Sequence, residues 1–217
     1  MFIDQWTRTR HFIELDCLET SCSFISSSLS HAVDDLKKNY SQEIEKVSPE
    51  HRDLFEGVLQ DEHWNLTSQY PKFLWHSHYL LLYGLFETIL NSYCSIAAQK
   101  VDSNLKLKDL SGQGIERAKN YLSKVAGLER CFNTCEWQEI KLAGEIRNVI
   151  AHAAGKLNYE NSSHKKLAEK LRSVQYIELL NETESGSDIL LSEGFVVSKN
   201  RLIRGFINTL GTSKVSS

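Results

Sequence analysis

Three residues in the stretch GEIRNVIAHAAGK, residues 144–156, have side chains suited to phosphoryl chemistry: Arg147, Asn148 and His152. An imidazole titrates near neutrality, so it can take up a proton and return it at cellular pH. A guanidinium stays charged and fits phosphate oxygens in a bidentate fork. Together they suit RNA cleavage without a metal. A base activates the ribose 2′-hydroxyl, which attacks the adjacent phosphate, while a cation stabilises the charge building on phosphorus. The product would be a 2′,3′-cyclic phosphate.

A helix must position these groups. At about 100° per residue, Leu142, Ala143, Ile146, Val149, Ile150, Ala153 and Ala154 gather on one side. Lys141, Gly144, Glu145, Arg147, Asn148, Ala151, His152 and Gly155 gather on the other. Arg147 and His152 are about 140° apart on a straight helix and cannot touch. One site using both requires the helix to end between them or a second copy to face the first. A two-fold interface would bring two arginines and two histidines together. Gly144, Ala151 and Gly155 predict a shallow trough between the two. Glycine inside a helix costs roughly 1 kcal/mol relative to alanine, so Gly144 implies a close approach by another helix or a phosphate chain. Besides catalysis, this face can be read as a binding surface for nucleotide, RNA or protein, as a small-residue seam of a structural dimer, or as a solvated helix face.

The remaining elements follow from periodicity and punctuation. Residues 3 to 46 read as helix, and SPEH reads as a helix start with Ser48 as N-cap and Pro49 in the first turn. That helix ends near DEHWN. Pro71 opens or kinks a long apolar helix through Gln99, with Gly84, Glu87, Thr88, Asn91, Ser92 and Ser95 along a narrow polar side. A loop, VDSNLKLKDLSGQG, precedes a helix over 113–127 and the Arg147 helix over 134–154. QYIELL and SDILLS read as a β-hairpin, and VVSKNRLIRGFINTL as a final helix. The segment 155–172 carries net +3. Within it, Lys156, Lys165 and Lys166 are candidate RNA-backbone contacts, against the alternative of an ordinary charged helix. A buried Glu87 would need a cation, and Arg147 is a candidate.

Bulk properties set the frame. The 217 residues carry a net charge of −3, so nucleic-acid binding must come from a local basic patch. The five cysteines and an opening, MFIDQWTRTR, without an apolar core predict reduced thiols in a cytoplasmic protein. FLWHSHYLLLYGLF, broken by two histidines, is too short to predict a membrane span. Cys131 with Cys135, and His76 with His78, lack a second pair at zinc-site spacing, so no metal or other cofactor is expected. Trp6, Trp64, Trp75 and Trp137 read as core or interface residues.

The R-N-x-x-x-H pattern of Arg147, Asn148 and His152, the apolar helix containing LFETILNSY, and the ending DILLSEGFVVSKNRLIRGFINTL resemble the HEPN domains. These are small helical bundles found in toxin–antitoxin and phage-defence systems. The resemblance covers roughly residues 70 to 210. It implies an all-α, up-and-down helical bundle of HEPN type over residues 66–217, with an N-terminal helical extension over 1–65 and a small β-hairpin near the C-terminus. It also implies a metal-independent endoribonuclease acting on RNA as a homodimer, with Arg147 and His152 as the catalytic pair and Asn148 holding the site together. A nucleotidyltransferase-like antitoxin is the kind of partner it implies. A non-catalytic HEPN module is the alternative.

Overall fold

The most apolar segment of the chain becomes the centre of the bundle. In α3 (Tyr70–Lys100), Trp75, Tyr79, Leu82, Phe86, Ile89, Leu90 and Tyr93 are all buried. The computed structural model describes residues 3–101 and 105–214. Around α3 pack α1 (Gln5–Glu43), α4 (Gly114–Lys124), α5 (Cys135–Ala153) and α7 (Glu193–Thr212). The predicted polar side of α3 stays exposed or half-exposed from Gly84 to Ser95. Residues 102–104 of the predicted loop lie outside the described residues.

The fold is mostly helical with a small antiparallel sheet near the C-terminus. The expected hairpin is present as β2 (Ile177–Leu180) and β3 (Gly186–Leu191), with Ile177 opposite Leu191. A third strand, β1 (Lys156–Asn158), joins the other edge of β3, giving the order β1-β3-β2. Periodicity could not announce β1, because its exposed–buried–exposed alternation spans three residues, too few to stand out as a signal. Between β1 and β2 lies α6 (Ser162–Leu171), capped by Asn161, whose side chain accepts from the Ser163 N–H.

The chain from Pro49 to Lys100 runs as one uninterrupted helix of 52 residues. It comprises a 3-10 turn at Pro49–His51, α2 (Arg52–Trp64), a π turn at Asn65–Gln69, and α3. Pro71 stands in the first turn of α3, as expected, but no loop precedes it. The Tyr70 N–H reaches back to the Asn65 carbonyl, a wider loop that carries the backbone into the proline. Ser48 makes no cap to the backbone; its hydroxyl bonds His51 Nδ1 at 2.8 Å instead. An 18-residue window of this long helix reaches a mean hydropathy of 1.3, apolar enough by length and composition to cross a bilayer. The two histidines thus do not break the run as expected. Its apolar side chains in α3 form the protein core.

The division anticipated at residue 65 falls inside this helix, and the start of the chain is built into the bundle. Ile3, Leu15, Leu18 and Cys22 are buried in the common core. The Ile3 N–H donates to the Gly211 carbonyl at 3.1 Å, and buried Asn200 donates to the Leu15 carbonyl at 2.7 Å. From residue 23 to residue 74 no side chain is buried. This stretch forms a two-helix arm in which α2 lies along the second half of α1. The five cysteines are free; Cys22, Cys94 and Cys131 are buried.

Candidate functional site

Thr134 starts α5 by accepting the Trp137 N–H at 3.3 Å. The helix then divides as its sequence predicts: Ala143, Ile146, Val149 and Ile150 are buried, Leu142 and Ala153 half-buried, and Asn148 and His152 exposed. It ends immediately after the motif. Ala154 takes a left-handed conformation with φ 51°, and Gly155 follows with φ 81°. The Gly155 N–H returns to the Val149 carbonyl at 3.2 Å, closing the last turn.

This ending ties the His152 turn to the sheet. The Gly155 carbonyl accepts the Ile189 N–H at 2.8 Å. The Ile189 carbonyl in turn lies 3.0 Å from Nε2 of His76, a buried α3 side chain whose ring sits directly over Gly155. A carbonyl can only accept, so Nε2 carries the proton and donates. Burial pulls the His76 pKa down to about 4, against a smaller opposing effect of the Ile189 hydrogen bond. The imidazole is neutral at physiological pH, and its role is structural. Gly155 is buried beneath it and is no part of an open trough. His78 points elsewhere, toward the Ser21 hydroxyl at 3.2 Å and the Leu74 carbonyl at 3.2 Å.

Gly144 finds its explanation within the same chain. Tyr83 of α3 lies across it, so a Cβ at Gly144 would stand 2.6 Å from the Tyr83 hydroxyl. One turn earlier on α3, the Tyr79 hydroxyl donates to the Ala143 carbonyl at 2.6 Å. Two tyrosines at i, i+4 thus hold α3 against α5, and the approach requires glycine at 144. Of the small residues thought to form a trough, Ala151 alone remains open.

On the polar side of α5 lies a groove of about 580 Å³ between α3, α4 and α5. Arg147, Asn148 and His152 all line it, beside Tyr83, Glu87 and Lys141. A single chain therefore turns both ends of the motif into one space. Arg147 is half-buried. Its guanidinium stands 6.0 Å from the centre of the Tyr83 ring and donates to Asn148 Oδ1 at 3.2 Å. Among the described residues it forms no ion pair; Glu87 is half-exposed, so the burial that would have demanded Arg147 as its partner does not arise. Burial raises the Tyr83 phenol well above its ordinary pKa; Arg147 opposes this, while Glu87 and Glu116 add to it. Tyr83 is thus a fixed hydrogen-bond donor.

Acidic groups share the groove: Glu87, Glu116 and Glu145 line it as well. Glu116 pairs with Lys119 at 3.6 Å and Glu145 with Lys170 at 2.8 Å. Of the anticipated backbone contacts, none lies in the groove. Lys156 borders a separate depression at the sheet edge with Asn158, Asn181 and Asp188. Lys165 and Lys166 are exposed on α6 and line neither space. The basic residue of that segment which reaches the groove wall is Lys170, through Glu145. Among the described residues no three His, Cys, Asp or Glu side chains cluster as metal ligands.

Tyr83 is the site residue that the motif alone does not reveal. The signal was its position four residues before Glu87, at the border of the polar stripe of α3. Compared with protein-family models, with curated proteins and with solved structures, the chain gives no match.

Proposed function

We propose that this chain is a metal-independent endoribonuclease of HEPN type, working in the cytoplasm in a toxin–antitoxin or phage-defence setting. The observation that carries the reading is the shared groove: Arg147, Asn148 and His152 line one space, and among the described residues Arg147 has no carboxylate partner. Arg147, steadied by Asn148 and the Tyr83 ring, is placed to hold a phosphate and stabilise charge on phosphorus. His152 moves the proton.

In the reaction the O2′–P bond forms as the P–O5′ bond breaks. A proton leaves the 2′-hydroxyl and another reaches the departing 5′-oxygen. Attack and departure lie on opposite sides of phosphorus, so one imidazole cannot serve both at once. A homodimer with grooves facing each other would supply the second His152, which is why the reading includes dimerisation. A nucleotidyltransferase-like antitoxin would be its antagonist.

The charge balance favours a second reading. With three carboxylates and two fixed cations, the groove of one chain offers a polyanion little net attraction. Of the occupants open to a non-catalytic module on this face, a nucleotide, RNA or a protein, a protein accords best with that balance.

Incubation of the purified protein with RNA in EDTA separates the two. On the catalytic reading the wild type cleaves, leaving cyclic phosphate ends, and His152→Ala loses at least about 100-fold in rate. If neither protein cleaves, the binding module stands instead; equal cleavage by both removes His152 from the chemistry.

A further inference from the structure

The two-helix arm has apolar side chains and nothing to bury them against. In α2 no residue is buried; Leu54 is 71% exposed and Val58 58%. Tyr40 of α1 stacks on Phe55 of α2 with ring centres 5.7 Å apart, and this contact holds the pair together. Beside it lies a hollow of about 200 Å³ floored by Leu36, Tyr40, Phe55, Val58 and Leu59. Two helices in contact enclose no interior, so apolar side chains along their flanks stay in water. A third helix laid in the hollow would give the arm a core.

Charge indicates what that third helix is. Residues 31–64 carry nine carboxylates and four Lys or Arg, a net of −5 in a chain whose total is −3. Glu62 and Glu43 line the hollow; Glu43 also meets Lys46 at 2.7 Å. A second copy of the arm would bring −5 against −5. Basic α6 of a second copy has its apolar residues Leu167, Ala168 and Leu171 already buried, so it has no ridge to offer. Anionic lipid and RNA are repelled by the same charge.

We infer that the arm is a docking site for a basic amphipathic α-helix of a partner protein. Its apolar ridge lies on Phe55 and Val58 in the hollow and extends to exposed Leu54, one turn before Val58 on α2, and its Lys or Arg residues face Glu43 and Glu62. The site is separate from the Arg147 groove and independent of what that groove does.

The probe is a labelled Leu/Lys amphipathic helix of about 18 residues, or five turns, with a Leu/Glu counterpart of the same pattern. Fluorescence anisotropy on the full chain should show the basic peptide binding at least about tenfold more tightly than the acidic one. Leu54→Asn with Val58→Asn should weaken it about tenfold or more, with the circular dichroism unchanged. Glu43→Lys with Glu62→Lys should transfer the preference to the acidic peptide. Equal binding of the two peptides, or indifference to the asparagine pair, overturns the inference. So does self-association, or capture by anionic vesicles, that the asparagine pair abolishes.

Discussion

Helix α5 and the arm are both amphipathic, yet they meet opposite fates. The apolar side of α5 is buried against α3 and α7, and its polar side faces a groove. On α2, Phe55 and Leu59 are half-buried, while Leu54, Val58 and Trp64 stay exposed. The difference is one of surroundings rather than pattern. Around α5 stand several packed elements; beside α2 stands chiefly the second half of α1. Periodicity identifies a helix and its apolar side, but it does not say whether the chain itself supplies a cover.

Truncating side chains in the two regions gives the largest contrast. Phe86→Ala, fully buried in α3, should cost about 3–5 kcal/mol in urea unfolding. Leu54→Ala on the arm should stay within about 0.5 kcal/mol. Equal losses would mean that the arm is covered in solution.

Acid should loosen the α5 end and leave the arm unaffected. His76 holds a pKa of about 4 in the folded protein against 6.5 ordinarily. Between those values the unfolded chain binds more protons, so this contribution is complete above about pH 6.5 and is lost on descending to about pH 4. The loss amounts to roughly 3 kcal/mol. His11, lowered by partial burial, acts in the same direction. Stability of His76→Gln, measured over the same range, should lose most of the slope; an unchanged slope would remove His76 as its cause.

Glycine substitution sharpens the comparison at a smaller scale. Gly144→Ala should destabilise by about 1–3 kcal/mol, and Tyr83→Phe in the same chain should recover part of that by removing the hydroxyl. Gly57→Ala on the arm, with open space around it, should instead stabilise by about 0.5–1 kcal/mol. Thermal melts of these three variants and of Tyr83→Phe alone decide this, and additivity at 144 and 83 would refute the steric account.

The sequence reveals what local pattern controls. Most helices to within a few residues, the buried side of α5, the polar side of α3 and the final hairpin follow from spacing and turn residues; the bounds of α6 and the π turn do not. What it hides depends on distant partners. The reason for Gly144 is Tyr83, sixty-one positions earlier in the chain. Strand β1 exists because Leu157 pairs with Ser187 across the fold. Gly155 looked like part of an open face because a wheel assumes the helix continues, whereas α5 ends at Ala153 and the chain turns inward under His76. In the groove, the motif and Glu87 of α3 were legible, and Glu116 of α4 was not.

The π turn at Asn65–Gln69 also sets an angle. Relative to an α-helix it accommodates one additional residue, which offsets everything before it by about 100° around the axis. The direction in which Leu54 and Val58 look out from the bundle is therefore fixed by five polar-rich residues that touch neither. Deleting Thr67 would swing that outlook round while leaving every side chain of the arm intact, a rotation that distances between spin labels on α2 and α7 would register.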